Sequence, residues 1–122
     1  MQEKNNMNFV ALQVQFRHMP QSSSIKHLVR KQAGCLEKFA HAGSHCEVVV
    51  DEMNHWNKGG IFKVTIRYTI PGDRLYVAHA EEESGSHHFL YSAVRIAFDE
   101  IERQLKKRRR RNYRRKTIEL AA

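Results

Sequence analysis

The chain has 122 residues, 41% hydrophobic and 28% charged, with 21 Lys/Arg against 13 Asp/Glu for a formal net charge of +8. That size and composition fit one globular domain with a modest core. They exclude a membrane helix, since no apolar run nears the ~18–20 residues required, and two cysteines, Cys35 and Cys46, exclude a disulfide framework.

The first residues, Met1-Gln2-Glu3-Lys4-Asn5-Asn6, are polar and lack the apolar stretch of a secretory signal, so a cytoplasmic location is expected. Residues 1–7 are expected to be a disordered N-terminus and 8–111 the domain. Over residues 10–17, Val10, Leu12, Val14 and Phe16 alternate with Ala11, Gln13, Gln15 and Arg17, which predicts a strand with one buried face. Pro20-Gln21-Ser22-Ser23-Ser24 breaks it and offers hydroxyls for a helix N-cap. Ile25, Leu28, Val29, Leu36 and Phe39 then make one stripe of a helix over 25–39, with Gly34 a weak point inside it.

Ala42-Gly43-Ser44 reads as a turn. Residues 46–53 form the second strand, with Cys46, Val48 and Val50 on one face. Residues 54–60 read as a loop. Alternation resumes over 61–70, Pro71-Gly72-Asp73 suits a tight turn, and 74–81 completes a hairpin. The last element is a long helix on which Leu90, Val94, Ala97, Phe98, Ile101 and Leu105 share a face. Asp99 with Arg103 and Glu102 with Lys106 are acid-before-base pairs four residues apart. Beyond about Arg111 the helix is expected to fray, because like charges repel and no apolar stripe remains. Residues 112–122 are thus read as a basic flexible tail.

The order β-α-β-β-β-α predicts an α+β fold, a four-stranded sheet with two helices packed on one face. Its expected core contains Leu12, Val14, Leu28, Leu36, Val48, Val64, Ile66, Val77, Val94, Phe98 and Ile101. The other sheet face carries Gln13, Gln15, Glu47, Asp51, Lys63, Thr65 and Arg67 and should meet water. Charge is placed unevenly. Residues 102–122 hold ten Lys/Arg against Glu102 and Glu119, whereas residues 1–101 balance eleven against eleven. A cationic helix end on a neutral domain concentrates field at one place, and nucleic acid is the polyanion that best answers it.

The stretch Leu90-Tyr91-Ser92-Ala93-Val94 through Asp99-Glu100-Ile101-Glu102-Arg103-Gln104-Leu105-Lys106-Lys107 resembles the final helix of the ribosome hibernation promoting factor family, also called ribosome-associated inhibitors. That helix reads roughly Asp-Met-Tyr-x-Ala-Ile, then Lys-Leu-x-Arg-Gln-Leu, then basic residues. Ile25-Lys26-His27-Leu28-Val29 and Cys35-Leu36-Glu37-Lys38-Phe39 are similar to its first helix. The likeness spans about residues 8–112. Phe89 stands where the family has a helix-capping Asp, leaving Ser86 as a substitute cap, and Glu100 stands where it has Lys.

The resemblance implies an inhibitor of idle ribosomes in stress or stationary phase. It would occupy the messenger and transfer RNA channel of the small ribosomal subunit and contact its rRNA. The expected rRNA-binding residues are Lys26, Arg30 and Lys31 on the first helix and Arg95, Arg103, Lys106, Lys107 and Arg110 on the last. Long forms of the family add a C-terminal dimerising domain. No residues follow Ala122 to build one, so a monomer is expected.

Other constellations are weaker. His41, His45 and Cys46 lie close in sequence, but nothing fixes a metal geometry, so no metal or other cofactor is expected. Trp56 and Tyr113 could stack on bases, although a lid on the core is the preferred reading of Trp56. No phosphate-cradling glycine motif, nucleophile elbow or paired-Cys spacing is present, so neither an enzyme nor a small-molecule substrate is expected. The competing reading is a stand-alone double-stranded RNA-binding module of α-β-β-β-α order, which the additional first strand argues against.

Overall fold

The computed structural model describes residues 10–53, 60–83 and 87–121, so Trp56 and Ser86 lie outside the described residues. The elements are β1 (Val10–Arg17), α1 (Ser23–Cys35), a short 3-10 turn (Glu37–Phe39), β2 (Ser44–Met53), β3 (Ile61–Thr69), β4 (Leu75–Glu83) and α2 (His87–Ala121). The predicted β-α-β-β-β-α order is therefore the observed one. The sheet order is β1-β2-β3-β4, with β1 parallel to β2 and the other pairs antiparallel.

The sheet buries one face only. Cys46, Val48 and Val50 of β2 stand beside Tyr68, Ile66 and Val64 of β3, which stand beside Tyr76, Ala78 and Ala80 of β4. Both helices lie on that face, side by side: α1 packs against β1 and α2 against β4 and β3. Ile25, Leu28, Val29 and Ala33 point down from α1. Leu90, Ala93, Val94, Ala97, Phe98, Ile101 and Leu105 do so from α2. Burial of this apolar surface is the main favourable term in folding.

Three sequence expectations are corrected. Val77 is not in the core. It pairs with Arg67 and sits half-exposed on the open face, while Tyr76, Ala78 and Ala80 point inward. β4 is apolar on both faces, so alternation alone does not set its phase. The small side chains Ala78 and Ala80 lie inward, where α2 packs. Second, α1 ends at Cys35, one residue after Gly34. The Leu36 N–H bonds back to Ala33 and the chain tightens into the 3-10 turn, which still buries Leu36 and Phe39. Third, α2 does not stop near Arg111 but runs to Ala121. No Gly or Pro falls between residues 87 and 121, and Lys and Arg are good helix formers. Leu12 and Val14 of the edge strand β1 pack against the core without full burial.

Local chemistry fixes the connections. The Ser22 hydroxyl accepts the Ile25 N–H at 3.3 Å and caps α1. Pro71 and Gly72 turn β3 into β4, with Gly72 at φ +80 and the Asp73 N–H donating to the Ile70 carbonyl at 3.0 Å. That is the geometry in which a positive φ favours glycine.

Candidate nucleic-acid interface

Both helices run back along β1, β2 and β4, so their C-terminal ends reach the same end of the sheet. The β3–β4 turn and the start of β2 lie at that end. There α2 is fastened from two sides. The Arg108 guanidinium donates through Nε to the Asp73 carboxylate, and its NH2 group lies 3.4 Å from His41 Nε2. The Tyr76 hydroxyl donates to Asp73 Oδ2 at 2.9 Å and the Arg74 N–H to Oδ1 at 2.7 Å. Burial pushes the Asp73 carboxyl up, but these bonds and the Arg108 charge outweigh it and hold the group below its ordinary value. The neighbouring Arg109 guanidinium sits 5.6 Å from the centre of the Phe39 ring, whose own position is buried. Beyond Arg109 the helix leaves the sheet behind. Its remaining twelve residues extend it by about 18 Å at ~1.5 Å per residue.

The predicted cations separate into groups. Arg95, Arg103, Lys106 and Arg110 lie exposed along the side of α2 opposite its buried stripe. Lys107 is exposed on the flank toward β4, three residues on from Gln104, which donates to the Val77 carbonyl at 2.9 Å. On α1, Lys31 is exposed, while Lys26 and Arg30 are half-buried, with Lys26 Nζ donating to Gln21 Oε1 at 2.7 Å. The fold therefore brings both sets onto one helical layer.

Two of the predicted contacts are partly neutralised within the chain. Arg103 pairs with Glu100 at 3.0 Å rather than with Asp99, and Lys106 meets Glu102 at 3.7 Å. Glu100 also accepts from Gln104 at 3.4 Å, so the acid that departs from the family pattern ties down a cation. Exposed pairs of this kind add little stability; what they change is how much free positive charge the helix presents.

The open sheet face is different. Arg17, Asp51, Lys63 and Glu81 stand side by side across all four strands, alternating in sign, and Glu47 stands beside Arg67. His18, in a left-handed backbone conformation, bonds Asp51 Oδ1 at 2.8 Å through Nδ1. Opposite charges on paired strands offset each other, so this face offers a polyanion no continuous positive surface.

No metal chemistry is assembled from the residues weighed for it. His45 and Cys46 are adjacent on β2 and point to opposite sides of the sheet, and the Cys46 thiol is buried, which pushes its pKa up to about 12. Among the described residues no three His, Cys, Asp or Glu converge, and no helix is long and apolar enough to cross a membrane.

The sequence reading missed the fastening residues Asp73, Tyr76, His41 and Arg108. A signal for Arg108 existed: it falls three residues after buried Leu105, in phase with the inward stripe. Arg109 and Arg114 were missed as well; with Arg110 and Tyr113, already a base-stacking candidate in the sequence, they line an open groove of about 260 Å³ on the projecting helix.

Comparison with known proteins agrees with this architecture. The N-terminal domain of Thermus thermophilus Protein Y is 21% identical, with 78% of this chain and 93% of that one aligned at a TM-score of 0.62. A ribosomal subunit interface protein from Coxiella burnetii is 18% identical, covering 80% and 96% at the same TM-score of 0.62. At these identities the likeness establishes the shared fold. A search of curated protein sequences gave no match. Residues 12–113 match the family described as sigma 54 modulation protein / S30EA ribosomal protein. The match runs from within β1 through α1, β2, β3 and β4 into α2 as far as Tyr113, and the chain belongs to that family, the ribosome-associated hibernation family its helices resemble.

Proposed function

We propose that this protein binds idle ribosomes in the cytoplasm and silences them by occupying the messenger and transfer RNA channel of the small subunit, in stationary phase or stress. The observation that carries this is the one-sided placement of charge. The helical layer presents Lys31, Arg95, Lys107 and Arg110, while the sheet face balances its charges strand by strand. Cations on rigid helices fix orientation on an RNA surface through phosphates, with little reading of sequence. Arginine suits the task because its planar fork meets phosphate bidentately and stacks on unpaired bases. Occupancy is the mechanism and no bond is made or broken. Family membership supports ribosome association; the channel as the site and rRNA as the contact are parts of the proposal.

The test is sucrose-gradient sedimentation of a stationary-phase lysate at low salt. The protein should travel with small subunits or whole ribosomes and leave them as salt rises. A protein that stays at the top of the gradient at every salt concentration would overturn the reading. Binding to free RNA duplex with equal affinity, and no ribosome preference, would favour the double-stranded RNA module instead.

A further inference from the structure

The groove on the projecting part of α2 has a composition that phosphate binding alone does not require. Arg109 and Tyr113 form one four-residue row on the helix surface, and Arg110 and Arg114 form the row beside it, with the groove between them. Residues four apart on a helix are neighbours. Tyr113 is 74% exposed, the most exposed large hydrophobic side chain among the described residues. A surface aromatic in the middle of an arginine run adds nothing to electrostatic attraction. It does add a flat face on which a base stacks, and the arginine planes beside it can stack or take the flanking phosphates.

The groove is also held in place. Arg108, one residue before it, is fastened to Asp73, and Arg109, which forms one wall, lies over the buried Phe39. A site whose backbone is anchored one turn away loses less entropy on binding than one on a free tail. The groove is open to solvent and lined by one helix alone, a surface on which a base lies rather than a pocket that encloses a ligand.

We infer that Arg109, Arg110, Tyr113 and Arg114 form a binding site for an unpaired RNA base, stacked on Tyr113, with its flanking phosphates on the arginines. The inference deepens the ribosome-binding reading and rests on it for its biological setting. The site continues the cations of the helical layer at Arg110 and adds Arg109, Tyr113 and Arg114 on the projecting part of α2. It recognises single-stranded RNA through a π-face and is indifferent to which base is offered.

The test uses the full chain and fluorescence anisotropy with two labelled probes of equal length and charge, a uridine decamer and an abasic ribose-phosphate decamer. The wild type should bind the uridine probe about tenfold more tightly than the abasic one, the scale of one base–aromatic stack. Tyr113→Ala should lose that preference and Tyr113→Phe should keep it, with unchanged helical circular dichroism showing that α2 is intact. Equal affinity of the wild type for both probes, or an undiminished preference in Tyr113→Ala, would overturn the site. An acidic decapeptide that competes as well as the uridine decamer would overturn it too, in favour of a protein partner. Ribosome sedimentation is scored separately. A wild type that fails to sediment with ribosomes yet keeps the Tyr113-dependent base preference sinks the ribosome reading and leaves this site standing.

Discussion

Asp73 shows how a turn residue acquires a structural task. Its carboxylate accepts from the Arg74 N–H, the Tyr76 hydroxyl and the Arg108 guanidinium, joining the β3–β4 turn to the point where α2 leaves the sheet. Because those bonds favour the ionised form, the folded-state pKa lies below the unfolded one. The contribution is then complete above the unfolded value of about 3.9 and is lost as pH falls through the folded value. Asp73→Asn should lower stability at pH 6 by roughly 1 kcal/mol, since the group is part-exposed. The gap to wild type should narrow below about pH 4, read from urea midpoints across that range. A gap that stays constant with pH would show that the charge of Asp73 is not what holds the helix. Which arginine of the run Arg108 to Arg111 turns inward was barely legible in the sequence. Four identical side chains carry no distinguishing chemistry, and only helix phase, counted from Leu105, separates them.

At the scale of elements, strands and helices were legible wherever one face is apolar and the other polar. β2 and β3 meet that condition, and Cys46, Val48, Val64 and Ile66 are inward as expected. β4 does not meet it, because Leu75 and Val77 on one side and Tyr76, Ala78 and Ala80 on the other are all apolar. The packing of α2 decided the phase. The consequence is a contrast between adjacent residues. Ala78→Leu should drive a side chain into α2 and cost about 1–3 kcal/mol, whereas Val77→Thr should cost well under 1 kcal/mol on the open face. Thermal unfolding of the two variants checks this, and similar losses for both would put the α2 interface elsewhere. Ile101→Ala, which empties a fully buried position of α2, should cost about 2–5 kcal/mol. The length of α2 was not legible, since the apolar stripe that marks the helix ends at Leu105. The structure continues the helix on backbone propensity past the fastening at Arg108 and Arg109.

The whole molecule is a sheet with one inert face and one face covered by helices whose cations meet solvent. That asymmetry gives the last prediction. Replacing Arg103, Lys106 and Lys107 together by Gln should weaken ribosome binding and flatten its salt dependence. If each contacts a phosphate, the slope of log K against log salt should fall by about 2, from ~0.7–0.9 per contact. Replacing Arg17, Lys63 and Arg67 on the sheet face removes the same charge and should leave that slope unchanged. Net charge is thereby held equal between the two triple variants, so a difference between them reports on position alone. Glu100→Lys should strengthen binding. It adds a cation and releases Arg103, which the Glu100 carboxylate now holds at 3.0 Å. Co-sedimentation with ribosomes over a salt series measures all three. Equal losses from the two triple variants would mean that general charge, not the helical layer, drives association. Weaker binding by Glu100→Lys would mean that Glu100 itself meets a cation on the ribosome, and the family pattern at that position would not describe this chain.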